Sequence, residues 1–86
     1  MSPRRTLAAS LVVTFPTTQA AMACEELCER RGLPGRMIPV PSQISAGCGL
    51  AWKASPQDGD ALSGALAEGG VPVSGMDVID LWEISR

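Results

Sequence analysis

The stretch LAASLVVTFPTTQAAMACEELCERRG, residues 7–32, decides the fold, because its apolar residues change from a period of two to a helical period. Alternate positions from Leu7 to Val13 are apolar, which predicts a strand over 7–14. The residues between them are also mostly small or apolar, so this strand should be central in its sheet. Pro16 should end it, because proline has a fixed φ and no N–H.

A helix is predicted directly after this strand. The hydroxyl of Thr17 can cap it by accepting a hydrogen bond from the backbone near Ala20, and Gly32 can end it as the C-terminal cap. One face carries a helically spaced set, made up of Ala20, Ala23, Cys24, Leu27, Cys28 and Arg31. The remaining side is expected to be a solvated acidic face, formed by Glu25, Glu26, Glu29 and the neighbouring Arg30.

The residues that follow predict three further strands and a second helix; the strands are Gly35–Pro41, Cys48–Ala54 and Met76–Ile84. Proline cannot donate a ladder hydrogen bond, so Pro39 and Pro41 should place the second strand at a sheet edge. Ser55 and Pro56 predict a helix start, as cap and first residue. Its buried stripe and its end are assigned to Ala61, Leu62, Ala65, Leu66 and then Gly69 and Gly70.

The order β-α-β-β-α-β predicts an α+β fold of the ferredoxin-like type, a four-stranded antiparallel sheet with two helices on one face. The expected strand order is fourth, first, third, second, which independently places the proline-containing strand at an edge. A chain of 86 residues is predicted to form a single domain, 1–86, with a core of about 7–84. It is too short for separate cofactor and substrate domains.

The composition excludes several classes of function. The chain has no histidine, which removes Ser-His-Asp and Cys-His catalysis and the commonest metal ligand, so we expect no metal and no cofactor. A net charge of −2 without a basic stripe argues against nucleic-acid binding. No segment is long enough to span a membrane. The odd count of three cysteines suits a reducing compartment, so the predicted location is the cytoplasm.

The main candidate for chemistry is Cys48, which has Gly47 and Gly49 on either side. In the predicted topology, the hairpin that carries it lies at the same end of the sheet as the first helix begins. A helix N-terminus stabilises a thiolate, and the hydroxyls of Thr17, Thr18 and Ser45 can help to bind an anion there. The glycines should leave the sulfur accessible. The alternative is a small residue that only fills a turn.

Cys24 and Cys28 share one face of the predicted helix, four residues apart. Two metal ligands are one interpretation, but nothing in the sequence completes such a site. Core packing is the favoured interpretation, and both thiols should be buried and inert. Trp52 is likewise assigned to the core.

The N-terminus has some features of an export signal. Arg4 and Arg5 precede an apolar run, and Ala21 to Cys24 is similar to a cleavage or lipidation site. The run stops at Phe15-Pro16, however, and cleavage would remove a strand and part of a helix. We therefore expect these residues to remain in the mature protein; a small lipoprotein anchored through Cys24 is the alternative.

Several segments together resemble a bacterial family of small domains of unknown function, which are described as sulfur or selenium carrier-like proteins. The resemblance runs from about Leu11 to about Val78, on the segments TFPTT (14–18), GLP (32–34), IPVP (38–41) and ISAGCGL (44–50). Cys48 and Gly49 match the family's Cys-Gly, and Thr17 and Thr18 match its hydroxyl-rich helix start. Cys24 and Cys28 match nothing in that pattern.

The resemblance implies a carrier that holds sulfur or selenium on the Cys48 thiolate, as a persulfide or its selenium analogue, between a donor protein and an acceptor protein. The resemblance thus favours a carrier protein over a stand-alone enzyme. The alternative is a non-catalytic interaction or regulatory module, because a ferredoxin-like fold alone does not determine function. Preferential alkylation of Cys48 at neutral pH separates the two hypotheses.

Overall fold

The computed structural model describes residues 4–44 and 48–85, with side chains at 8–44 and 48–81. Its elements follow the predicted order β-α-β-β-α-β. They are β1 (Arg4–Thr14), α1 (Thr18–Arg31), β2 (Arg36–Pro39), β3 (Leu50–Ala54), a 3₁₀ turn (Pro56–Asp58), α2 (Gly59–Glu68) and β4 (Gly75–Ser85).

The four strands form one antiparallel sheet in the order β2-β3-β1-β4. This is the predicted strand order, and the proline-containing β2 does lie at an edge. β1 is central, and Val13 of β1 lies between Trp52 of β3 and Met76 of β4. β1 pairs with β4 along its whole length but with β3 only over residues 11–14. Residues 4–10 and their β4 partners 79–85 therefore extend past β3 as a two-stranded arm.

Both ends of α1 are formed as predicted. The Thr17 hydroxyl accepts the Ala20 N–H at 3.1 Å, and Gly32 ends the helix in the left-handed conformation, with φ of 66°. The start of α2 differs from the prediction. The Ser55 side chain makes no capping bond, and Pro56–Asp58 forms a 3₁₀ turn before the α-helix begins at Gly59. Such turns are common at helix N-termini. Their i→i+3 hydrogen bonds satisfy backbone groups that the end of an α-helix leaves unpaired.

The strand boundaries also differ in detail. β1 begins three residues before the predicted Leu7, and β4 is one residue longer at each end. β2 is limited to four residues, although the Val40 N–H still donates to the Gly49 carbonyl beyond it. β3 begins at Leu50, so Cys48 lies in the connection before the strand and not within it.

The core lies between the sheet and the two helices. One cluster joins Leu11 and Val13 of β1 to Trp52 of β3 and to buried residues of both helices. The helix contributions are Ala20, Ala21, Cys24, Leu27 and Cys28 from α1, and Leu62, Ala65 and Leu66 from α2. Ala23 and Ala61, which the helical spacing assigned to the buried stripes, are exposed. The stripe of α1 is rotated toward Ala21, which takes the place expected for Ala23.

Gly35, just before β2, is held close to the indole of Trp52. Its φ of 134° is in a region that L side chains rarely adopt. A Cβ built on Gly35 would collide with the Trp52 ring and lie 2.7 Å from the Lys53 carbonyl oxygen. The bend into β2 therefore depends on glycine, since the buried indole leaves no space for a side chain.

We expect Gly35→Ala to lower the free energy of unfolding by about 1–3 kcal/mol, from backbone strain and displacement of Trp52. Gly64→Ala is the matched control. A Cβ at Gly64, inside α2, meets nothing within 4 Å, so alanine should stabilise the helix by about 0.5–1 kcal/mol. Urea denaturation of the three proteins measures both effects, and equal destabilisation by the two substitutions would contradict this account.

Candidate functional site

The sulfur of Cys48 lies at the start of α1, as the topology predicts. The Cys48 Sγ is 3.7 Å from the hydroxyl oxygen of Thr18, the first residue of the helix. The register explains the approach, because Thr14 at the end of β1 pairs with Ala51, three residues from Cys48. The two chain segments leave the same end of the sheet side by side.

A backbone donor that the sequence did not indicate also contacts this sulfur. The Leu50 N–H donates to Cys48 Sγ at 3.4 Å. The bond spans only two residues and depends on the tight conformation of the Cys48-Gly49 segment, so no side-chain pattern reveals it. Among the described residues, one backbone N–H and one hydroxyl lie within reach of the sulfur, and both can donate to a negatively charged sulfur.

The surroundings of the α1 N-terminus also favour an anion. The first turn of α1 contains no acidic residue whose carboxylate would compete for the positive end of the helix dipole. The Thr17 hydroxyl is occupied in capping the helix through Ala20, which fixes the start of α1 beside the sulfur. Thr17 therefore acts on the helix, and Thr18 contacts the thiol.

The expectation that the sulfur is open to solvent is wrong. Cys48 is only 4% exposed and belongs to the core cluster with Phe15 and Trp52. The flanking glycine does leave room on one side, because a Cβ at the exposed Gly49 would meet nothing within 4 Å. Exposure depends on tertiary packing, which the local sequence does not report. Ser45 and Gly47, which were also assigned to the site, lie outside the described residues.

Cys24 and Cys28 form a separate pair inside the core. Both are fully buried, and their sulfurs are 4.0 Å apart on one face of α1. Burial, then the neighbouring Cys28 sulfur, raises the pKa of the Cys24 thiol to about 12. Burial also raises the pKa of Cys28. Two thiols that stay protonated are poor nucleophiles and poor ligands, as expected for core residues.

The described residues hold no cluster of three or more histidine, cysteine or acidic side chains that could bind a metal ion. All three cysteines are free thiols. Among the described residues, no helix has the length and apolar character needed to cross a membrane.

Comparison with known families agrees with the resemblance on the key segments. Residues 10–76 match the sequence profile of the family described as "Putative Se/S carrier protein-like". The chain belongs to this family. The matched region of this Se/S carrier-like protein includes Thr17, Thr18 and Cys48 and excludes most of the β1–β4 arm. Neither the curated proteins nor the solved structures gave a match.

The raised pKa of Cys24 predicts a loss of stability at alkaline pH. Above the ordinary thiol pKa of 9.0, the unfolded chain releases this proton, and the folded protein keeps it until about pH 12. The stabilisation is therefore complete below about pH 9 and falls as the pH rises toward 12. We expect the urea midpoint to decline more steeply above pH 9 in the native chain than in Cys24→Ala. Parallel curves for the two proteins would rule out this linkage.

Proposed function

We propose that this Se/S carrier-like protein holds sulfane sulfur or selenium on Cys48, between a donor protein and an acceptor protein. The observation that supports this most strongly is the contact of Cys48 Sγ with two donors, the Leu50 N–H and the Thr18 hydroxyl, within the family-matched region. A thiol held by hydrogen-bond donors at a helix N-terminus is suited to act as a thiolate nucleophile.

Loading is a displacement at the outer sulfur of a donor persulfide. The Cys48 thiolate attacks that sulfur, a new S–S bond forms to Cys48, and the bond in the donor breaks. The donor leaves as a thiolate, so Cys48–S⁻ and R–S–SH become Cys48–S–SH and R–S⁻. With a donor selenosulfide, R–S–SeH, the product is Cys48–S–SeH. No oxidant or reductant is consumed in either case.

Delivery reverses the direction of attack. A nucleophile of the acceptor takes the outer atom of the Cys48 persulfide, and the electron pair of the broken bond returns to Cys48 as a thiolate. The Leu50 N–H and the Thr18 hydroxyl stabilise the Cys48 sulfur each time it is the anion, as attacking group in loading and as leaving group in delivery. One pair of donors therefore serves both half-reactions.

Three finer inferences accompany this function. The element and strand orders support the ferredoxin-like arrangement predicted from the sequence. A reducing compartment keeps a thiol free for this chemistry, so the free thiols support a cytoplasmic location. The partners are proteins that donate and accept the chalcogen, and no nucleic acid or membrane is needed.

An interaction module without chemistry at Cys48 is the alternative that the following experiment tests.

Incubation with a cysteine desulfurase and cysteine, or with a selenocysteine lyase and selenocysteine, should add one sulfur or selenium atom to Cys48. Intact-mass and peptide mass spectrometry measure the gain and its position. Cys48→Ser should remain unmodified, whereas Cys24→Ala should still be loaded, because the Cys24 thiol is buried and protonated. Loading at another cysteine, or an unmodified native protein, would favour the interaction module.

Replacing Thr18 tests the contribution of its hydroxyl. Thr18→Val keeps the shape of the side chain but removes the donor to the sulfur, and we expect Cys48 to be loaded roughly 10-fold more slowly. Thr18→Ser, which keeps the hydroxyl, is the matched control and should stay near the native rate. The rates come from quenched time courses followed by mass spectrometry. Equal rates for the valine and serine variants would show that the hydroxyl has no role.

A further inference from the structure

The β1–β4 arm, residues 4–10 paired with 79–85, is a part of the molecule that the carrier site does not use. It lies at the opposite end of β1 from Cys48, and only Ser10 of the arm falls inside the family-matched region. It makes the protein elongated, with extents of 43 × 27 × 18 Å. An isolated pair of strands is marginally stable in water, and a third strand is the usual remedy.

The hydrogen-bond pattern shows to which side the backbone groups of the arm point. The Val40 N–H bonds to the Gly49 carbonyl, so every second residue counted from Gly49 directs its backbone N–H and C=O to β2. The residues between them, including Trp52 and Ala54, therefore direct theirs to β1. Their partners are Val13 and Leu11, so the odd-numbered residues of β1 face the β3 side. Continued along β1, this alternation places the N–H and C=O groups of residues 5, 7 and 9 on the side where β3 has ended.

We propose that this open β1 edge pairs antiparallel with the same edge of a second copy of the chain, with Leu7 opposite Leu7 of the second copy. This register places Arg5 opposite Ala9 and therefore pairs all three open residues of each copy. A register displaced by two residues in either direction leaves one of them unpaired. Antiparallel pairing of identical segments is two-fold symmetric, and it closes after two copies.

The charged residues of the arm favour pairing through the β1 edge over pairing through the β4 edge. In the Leu7-centred register, Arg4 lies opposite Ser10 and Arg5 opposite Ala9, so no like charges face each other. Self-pairing of β4 along its full length would instead place Asp80 opposite Asp80 of the second copy, and Asp77 opposite Glu83. Like charges directly opposite each other destabilise a strand pair.

The dimer leaves the carrier sites free. Cys48 lies beside the Thr14 end of β1, seven residues from Leu7, which corresponds to about 23 Å along the strand. The two thiols would therefore lie at opposite ends of the dimer, and each could meet its partners separately. The dimer does not depend on sulfur chemistry, so Cys48→Ser should dimerise like the native chain.

Sedimentation equilibrium of the full chain tests the proposal, and we expect twice the monomer mass of 9.0 kDa. Leu7→Pro removes an outward N–H without touching the β4 ladder, and it should yield monomers. A chain that is monomeric at high micromolar concentration would overturn the proposal, and so would a dimer that Leu7→Pro leaves intact.

Charge substitutions at the exposed Ala9 give a second test that unfolding cannot imitate. Ala9→Arg would face Arg5 of the second copy twice per dimer, so it should weaken association about 2- to 30-fold, and Ala9→Glu should strengthen it similarly. Within one chain Ala9 pairs with Asp80, so Ala9→Arg should stabilise the fold and Ala9→Glu should destabilise it, which is opposite to their expected effects on association. Dissociation constants that do not change, or that change in the reverse direction, would contradict pairing through the β1 edge.

Discussion

The pairing of β1 with two neighbours over residues 11–14 is the constraint on which the rest of the structure depends. Over these four residues β1 bonds to β3 on one side and β4 on the other, and Val12 and Val13 are fully buried. The end of this segment fixes where the chain leaves the sheet and where α1 can begin. The same pairing aligns β3, and so places Cys48 beside that helix start.

The three cysteines show how surroundings determine the chemistry of one side chain. The Cys24 sulfur lies 4.0 Å from the Cys28 sulfur, and a thiolate at Cys24 would be desolvated and repelled by Cys28. Cys48 is also buried, but its sulfur meets a backbone N–H and a hydroxyl. All three cysteines are buried, so the difference between them lies in the hydrogen-bond donors around each sulfur and not in burial.

The sequence predicted the order of elements, the strand order and the meeting of Cys48 with the start of α1, because hydrophobic period, prolines and caps are local signals. It did not predict the burial of Cys48, since glycines describe backbone freedom and exposure depends on the tertiary packing of the core cluster to which Cys48 belongs. The sequence did not predict the Leu50 N–H as a donor, because nearly every residue type carries a backbone N–H. The beginning of α2 was misplaced because Ser55 and Pro56 suit a 3₁₀ turn as well as an α-helix.

The shielding of Cys48 has a kinetic consequence for any reagent in solution. With the residue only 4% exposed, a reagent that reacts only with locally opened molecules has an observed rate equal to the intrinsic rate multiplied by the open fraction. If about one molecule in a hundred is open, peroxides and small thiols are slowed about 100-fold. A protein that binds the opened form escapes this penalty, because its binding energy raises the open population. If Cys48 exchanges sulfur or selenium with partner proteins as proposed, its burial would slow damaging reagents without slowing that exchange.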